Sequence, residues 1–293
     1  MTISLNTPKI KKKILVVDDS ALMRRVMCDI INSDERFQVV DQAIDGEKAY
    51  ELLKKNIYDG IVLDVNMPKM DGIQLLRMLQ KDKIRARIMM ASTDTKEGAS
   101  VTMEALELGA IDFIEKPANI LHLRGDDFKA RFLNILKAVV SSPQTNIPRE
   151  SAVTVKKNEE STRKLVDIVR KSKPVVSGQK IVAIACSTGG PKTLQKVVPL
   201  LPANLDAPMV LVQHMPAGFT ASLALRLNEM SEVNVKEAQD GDVLAKGNVY
   251  IAPGGKHLRI VKKPEGYEVK LSYEPAVEGL RPCANIMFQS LEN

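Results

Sequence analysis

Five polar side chains stand just beyond short apolar runs in the first 120 residues: Asp18 and Asp19 after ILVV, Asp64 after Ile61–Leu63, Ser92 after Ile88–Ala91, and Lys116 just past Asp112–Ile114. Carboxylates brought together resist joint ionisation, and a hard divalent ion such as Mg²⁺ relieves that repulsion through oxygen coordination. A carboxylate so placed can attack a phosphoryl group in line and form an acyl phosphate, while a hydroxyl and an ammonium hold the transferred oxygens. Asp64, within VLDVNMPKMDG, is the candidate acceptor, with Ser92 and Lys116 as candidate phosphoryl ligands. An Asp at a strand end can also simply cap the next helix. One cap explains one Asp; it does not explain the whole set.

A second group follows at Ser187, in IVAIACSTGGPKTL, and at His214, the residue after PMVLVQ. A hydroxyl at a helix entry meets the positive end of the helix dipole, and free N–H groups there can hold an oxyanion. With an imidazole beside it, that hydroxyl has what acyl transfer needs. The arrangement is similar to a nucleophile elbow, although G-x-S-x-G is absent. Ser187 could equally be a helix cap, and His214 a strand-end histidine with a satisfied ring. His257, after PGGK, is a second candidate base, and Cys186 a rival nucleophile whose strand position should turn it away from Ser187.

Such groups meet only if strands carry them to one edge. Apolar runs at Ile14–Val17, Val39–Ala43, Ile61–Leu63, Ile88–Ala91 and Asp112–Ile114 alternate with stretches of helical spacing such as Leu22, Val26 and Ile30. Strands alternating with helices predict a parallel, doubly wound α/β sheet, and the crevice at the carboxyl ends of its strands gathers the residues that follow them. The same pattern resumes at Ile181 and continues through PKTLQKVVPLL and PMVLVQ into Gly-punctuated strands at DGDVLAKGNVYIAPGGKHLRIV and YEVKLSYEP. We therefore expect two doubly wound α/β domains, residues 1–120 and 180–293, joined by a polar tether at 121–179 with a possible helix near Phe128–Val140.

The chain has 293 residues, 44% of them hydrophobic, enough for about two domains. Its net charge of +6 comes partly from lysines at 11–13 and 156–180, as on solvated faces and linkers rather than a nucleic-acid patch. No apolar run approaches the ~20 residues of a membrane helix, and the N-terminus lacks a signal-like stretch, so a cytoplasmic protein without membrane insertion is expected. Cys28, Cys186 and Cys283 lack metal-ligand spacing and are expected as reduced thiols.

The motifs ILVVDDS, VLDVNMPKMDG, MMAS and GAIDFIEKP together resemble the response-regulator receiver family over about residues 12–120. That resemblance implies a flavodoxin-like fold, Mg²⁺ held by Asp18, Asp19, Asp64 and the carbonyl of Asn66, and phosphoryl transfer to Asp64 from a histidine kinase. It also implies Ser92 and Phe113 as a switch pair, although a lone Phe is as readily a core residue. CSTGG, QHMPAGFTASLALRL, A-x-D-G-D at Ala238–Asp242, VYIAPGG and the Arg281-Pro282 pair resemble the chemotaxis protein-glutamate methylesterase (CheB) family from about Lys180 onward. In that family the serine would attack glutamate methyl esters on methyl-accepting chemoreceptors, with His214 as acid and base, and would deamidate receptor glutamines. The family's triad carboxylate lies in a Gly-Met-Gly-Asn-Asp-Gly segment well beyond the Arg-Pro pair. This sequence ends at Asn293 before such a segment, so an esterase domain incomplete at its C-terminus is expected and no residue is assigned as that acid; Asp240 and Asp242 match a different motif.

Two other outputs are compatible with a receiver. One is a phosphorylation-dependent binding module that does no chemistry. The other is a DNA-binding regulator, for which no helix-turn-helix pattern follows Lys180.

Overall fold

The computed structural model describes residues 10–93, 96–117, 126–143, 180–264 and 266–292. In the first half, strands β1 (Lys12–Val17), β2 (Phe37–Ala43), β3 (Gly60–Asp64), β4 (Ile88–Thr93) and β5 (Asp112–Lys116) form one sheet in the order β2-β1-β3-β4-β5. Every neighbouring pair is parallel. The central strands are continuous apolar runs because helices cover both faces. On one face α1 (Ala21–Asn32) buries Val26, Met27, Ile30 and Ile31. On the other lie α2 (Gly46–Lys55), α3 (Gly72–Lys81) and α4 (Lys96–Glu107).

The helix anticipated near Phe128–Val140 is α5 (Asp126–Ser141). It buries Phe132, Leu133, Leu136 and Val139 in the same core cluster as α1 and the first sheet. It falls inside the stretch read from sequence as the tether, 121–179. Most of the remainder of that stretch lies outside the described residues.

The second half carries a four-stranded parallel sheet in the order β6-β7-β9-β8, built from β6 (Val182–Cys186), β7 (Met209–Gln213), β8 (Asn234–Glu237) and β9 (Asn248–Ile251). Helices α6 (Gly190–Val197) and α7 (Phe219–Met230) cover one face. The antiparallel hairpin β10 (His257–Lys263) and β11 (Gly266–Ser272), with α8 (Ala284–Gln289), covers the other. All three cysteines are free thiols.

The two halves share a core. Side chains of α4 and of α6 and α7 belong to one continuous apolar cluster, which includes Met103, Leu106, Leu194, Phe219, Leu223 and Leu227.

Candidate active site and phosphorylation site

In the first sheet, β1, β3 and β5 deliver Asp18, Asp64 and Lys116 to one pocket. Lys116 Nζ lies 2.7 Å from Asp18 Oδ2 and 2.7 Å from Asp64 Oδ1, so one ammonium bridges two buried carboxylates. Asp19 joins them: ligand oxygens of Asp18, Asp19 and Asp64 all lie within 4.8 Å of one another. Burial, reinforced by the charge of Asp18 and opposed by Lys116, pushes the Asp64 carboxyl up to about 6. A cluster of hard oxygens with one bridging ammonium suits a hard divalent cation, which would lower the repulsion that Lys116 offsets only in part. Asn66 lies exposed in the loop after β3.

Ser92 is buried at the end of β4 and donates to the Gly98 carbonyl at 3.2 Å. Phe113 is buried too, in the apolar cluster that the two halves share. Its ring stacks on Phe219 at the start of α7, centroids 4.6 Å apart and planes 22° from parallel.

In the second sheet, β6 and β7 run side by side in register, Cys186 beside Gln213. Their following residues therefore emerge together, and His214 Nδ1 stands 3.4 Å from Ser187 Oγ. Gly189, with φ of +74°, turns the chain out of the strand and into α6, a left-handed conformation that a side chain would strain. Ser187 is exposed and His214 is half-buried. Burial alone pushes the His214 imidazole below its ordinary value and so favours the neutral ring a general base requires. Its Nε2 is buried with no hydrogen-bond partner among the described residues.

The rival candidates resolve on geometry. His257 is fully buried; its Nδ1 accepts from the Cys283 backbone N–H at 3.2 Å, so Nε2 donates to the Pro275 carbonyl at 3.0 Å. With both ring nitrogens engaged, it tethers the loop before α8. Cys186 packs against the apolar cluster, and burial raises its thiol further from reactivity. Asp240 and Asp242 serve the loop before β9. Asp240 accepts from Leu271 N–H and Lys270, and Asp242 from Gln239 N–H and Lys236.

Sequence reasoning missed how the two sites meet. The receiver face formed by α4 and β5 packs against α6, α7 and the loop carrying Ser187. Asp112 Oδ2 accepts from the Gly189 N–H at 3.1 Å and also pairs with the Thr188 side chain. Lys192 Nζ donates to the Gly109 carbonyl at 3.1 Å, and Arg226 forks onto Glu107 at 2.5 and 2.9 Å. These partners are 77 to 119 residues apart in sequence, and no local pattern links them.

A carboxylate–lysine cluster at the strand ends of one parallel sheet, in a domain packed against a second whose strand ends carry a serine–histidine pair, is the arrangement of a response regulator with a hydrolase output. The family model for the response regulator receiver domain matches residues 14–125, and that for the CheB methylesterase matches residues 182–293. A protein-glutamate methylesterase/protein-glutamine glutaminase of Pyrococcus abyssi is 41% identical over 94% of this chain and 73% of its own length. One of Halalkalibacterium halodurans is 43% identical over 95% of this chain and 77% of its own. The crystal structure of the Thermotoga maritima CheB methylesterase catalytic domain is 44% identical, covering 39% of this chain and 60% of that one, with a TM-score of 0.38. The chain belongs to the protein-glutamate methylesterase/protein-glutamine glutaminase family, and it carries both that family's methylesterase domain and a receiver domain.

Proposed function

We propose that this chain is a chemotaxis response regulator that hydrolyses glutamate methyl esters, and deamidates glutamines, on methyl-accepting chemoreceptors once Asp64 is phosphorylated. The observation that carries this reading is the 3.4 Å approach of His214 Nδ1 to Ser187 Oγ at the ends of adjacent parallel strands, under the docked receiver.

In this reading His214 takes the hydroxyl proton as Ser187 Oγ attacks the ester carbonyl. The carbonyl electron pair is held by N–H groups at the start of α6. As the tetrahedral adduct collapses, His214 returns the proton to the departing methoxide, and methanol leaves an acyl-serine. Water, deprotonated by the same imidazole, then releases the glutamate and restores Ser187. Deamidation follows the same steps, with ammonia leaving. The unpartnered Nε2 of His214 is where an orienting carboxylate would bind.

On the receiver, Asp64 is the acceptor for a phosphoryl group from a chemotaxis histidine kinase. In this reading Lys116 and Ser92 hold its oxygens and Phe113 transmits the change; the 2.7 Å approach of Lys116 to Asp64 and the stacking of Phe113 on Phe219 support it. Asp18, Asp19, Asp64 and the Asn66 carbonyl would hold Mg²⁺, which supplies charge neutralisation to the phosphoryl oxygens. Residues 1–120, the intervening stretch and 180–293 then act as sensor, connector and output. Among the described residues no helix is long and apolar enough to cross a membrane. In this reading the protein works in the cytoplasm and reaches its receptors from outside the bilayer. No nucleic acid is needed as a partner.

The test is methanol release from methyl-labelled receptor membranes, with and without a small-molecule phosphodonor. Phosphodonor-stimulated release that vanishes in Ser187→Ala supports the reading. Equal background release by both proteins, alongside phosphorylation-sensitive receptor binding, would favour a binding module instead.

A further inference from the structure

Strand β7 reads Met-Val-Leu-Val-Gln and is buried along its whole length. Met209 and Leu211 face the apolar cluster under α6 and α7, and the period of two puts Gln213 on that same face, where a further aliphatic residue would be expected. Gln213 is instead a polar side chain only 2% exposed. Its Nε2 donates to the Ser187 carbonyl at 3.0 Å and, more weakly, to the His214 carbonyl at 3.5 Å. Its Oε1 is buried with no hydrogen-bond partner among the described residues. A buried amide oxygen left without a partner is destabilising, a cost that an apolar residue would avoid.

The donor end explains the retention. Ser187 C=O also accepts from the Gly190 N–H at 2.8 Å, and the His214 N–H donates to the Cys186 carbonyl at 3.2 Å. Two bonds thus lace the end of β6 and its turn to the end of β7 and its turn, His214 N–H to the Cys186 carbonyl and Gln213 Nε2 to the Ser187 carbonyl, and of these Gln213 supplies the one that reaches the nucleophile's own carbonyl. A Cβ at position 190 would collide with Gln213 Oε1, so the glycine at the start of α6 makes the space in which this amide lies.

We infer that Gln213 is a positioning residue: by holding the Ser187 and His214 carbonyls on one amide nitrogen, it fixes the approach of the Ser187 hydroxyl to the His214 ring. This rests on the esterase reading for its effect on rate, but the geometric claim stands apart from it. Misplacing a nucleophile by about 1 Å costs on the order of 100-fold in rate.

The experiment uses the full chain and two variants: Gln213→Met, which keeps length and removes the donor, and Gln213→Glu, which keeps shape and cannot donate when ionised. For methanol release from methylated receptor membranes, both are expected to lower kcat by about 10- to 100-fold with KM within about twofold. A merely structural role would instead lower the fraction of folded enzyme and leave kcat per folded molecule intact. A second readout needs no turnover. With only three histidines in the chain, the His214 ring can be followed by NMR titration, and Ser187→Ala should move that titration in the wild-type background but not in the Gln213→Met background.

An equal response to Ser187→Ala in both backgrounds overturns the inference, as does kcat at the wild-type level in both variants. A wild type that releases no methanol, yet shows Gln213-dependent coupling of Ser187 to His214, refutes the esterase reading and upholds the positioning role. If Gln213→Met does not fold, Gln213→Glu decides both readouts.

Discussion

Asp112, a receiver residue, accepts a hydrogen bond at 3.1 Å from the backbone N–H of Gly189, two residues past Ser187. The amide that this carboxylate occupies belongs to the N–H groups at the entrance of α6, the groups a substrate oxyanion would seek. Docking therefore places an internal anion where a reaction would develop one. Asp112→Ala should raise methanol release by the unphosphorylated protein several-fold and bring it closer to the phosphorylated rate. Unchanged basal release would show that the contact does not restrain the site.

The same carboxylate predicts a pH dependence of stability. Burial pushes Asp112 up to about 6, against the opposing N–H bonds from Phe113 and Gly189. An acid whose folded value lies above its unfolded one, 3.8 here, binds its proton more tightly when folded. Its contribution is then most favourable at low pH and declines as pH rises through that window, by about 1.4 kcal/mol for each pH unit crossed. The excess of the wild-type melting temperature over that of Asp112→Ala should be largest at and below about pH 4, shrink as pH rises toward 6, and level off above it. Scanning calorimetry of both proteins in matched buffers checks this.

His214 predicts a second pH effect, this time on rate. In the proposed reaction the neutral ring is the base, and burial lowers its pKa, so protonation would silence the site only at a pH below the ordinary histidine value of 6.5. The acid limb of kcat/KM should therefore lie below that value. A limb at or above it would mean that a carboxylate or other anion reaches Nε2 and holds the proton on the ring.

Much of this was legible in the sequence because strands and strand ends are local. An apolar run followed by a polar residue fixes which side chains reach the crevice, so sequence alone groups Asp18, Asp64 and Lys116, and Lys116 stands 2.7 Å from each carboxylate. Ser187 and His214 followed the same logic, since in-register parallel neighbours end at one edge. What was not legible depends on packing between distant segments. The partner of Phe113 is Phe219, and the anion at Gly189 comes from Asp112; neither pairing has a period or a spacing. Gln213 carried a weak signal, a polar residue ending an apolar strand, but a strand terminus excuses polarity and only its burial distinguishes it.

Lys116 predicts the behaviour of Asp64, the proposed acceptor. Its ammonium is the main influence opposing the burial that raises Asp64. In Lys116→Met the Asp64 carboxyl should titrate higher still and, left in part protonated near neutrality, be a poorer nucleophile. Acid-labile phosphate incorporated from a small-molecule donor should fall by about tenfold or more, and Asp64→Asn should incorporate none. Incorporation by Asp64→Asn equal to wild type would move the acceptor elsewhere.

The docked interface has one ion pair whose contribution can be isolated. Arg226 of α7 forks onto both oxygens of Glu107 at the end of α4, a bidentate geometry stronger than a single contact, and also reaches Glu229 at 3.0 Å. Both Arg226 and Glu107 are partly solvent-exposed, so salt and water should hold the coupling to about 1 kcal/mol or less. Glu107→Gln and Arg226→Gln should each raise the basal, unphosphorylated rate by a few-fold, and the double variant should do no more than either alone, since both remove one contact. Fully multiplicative effects would show that the two side chains act on docking through separate partners.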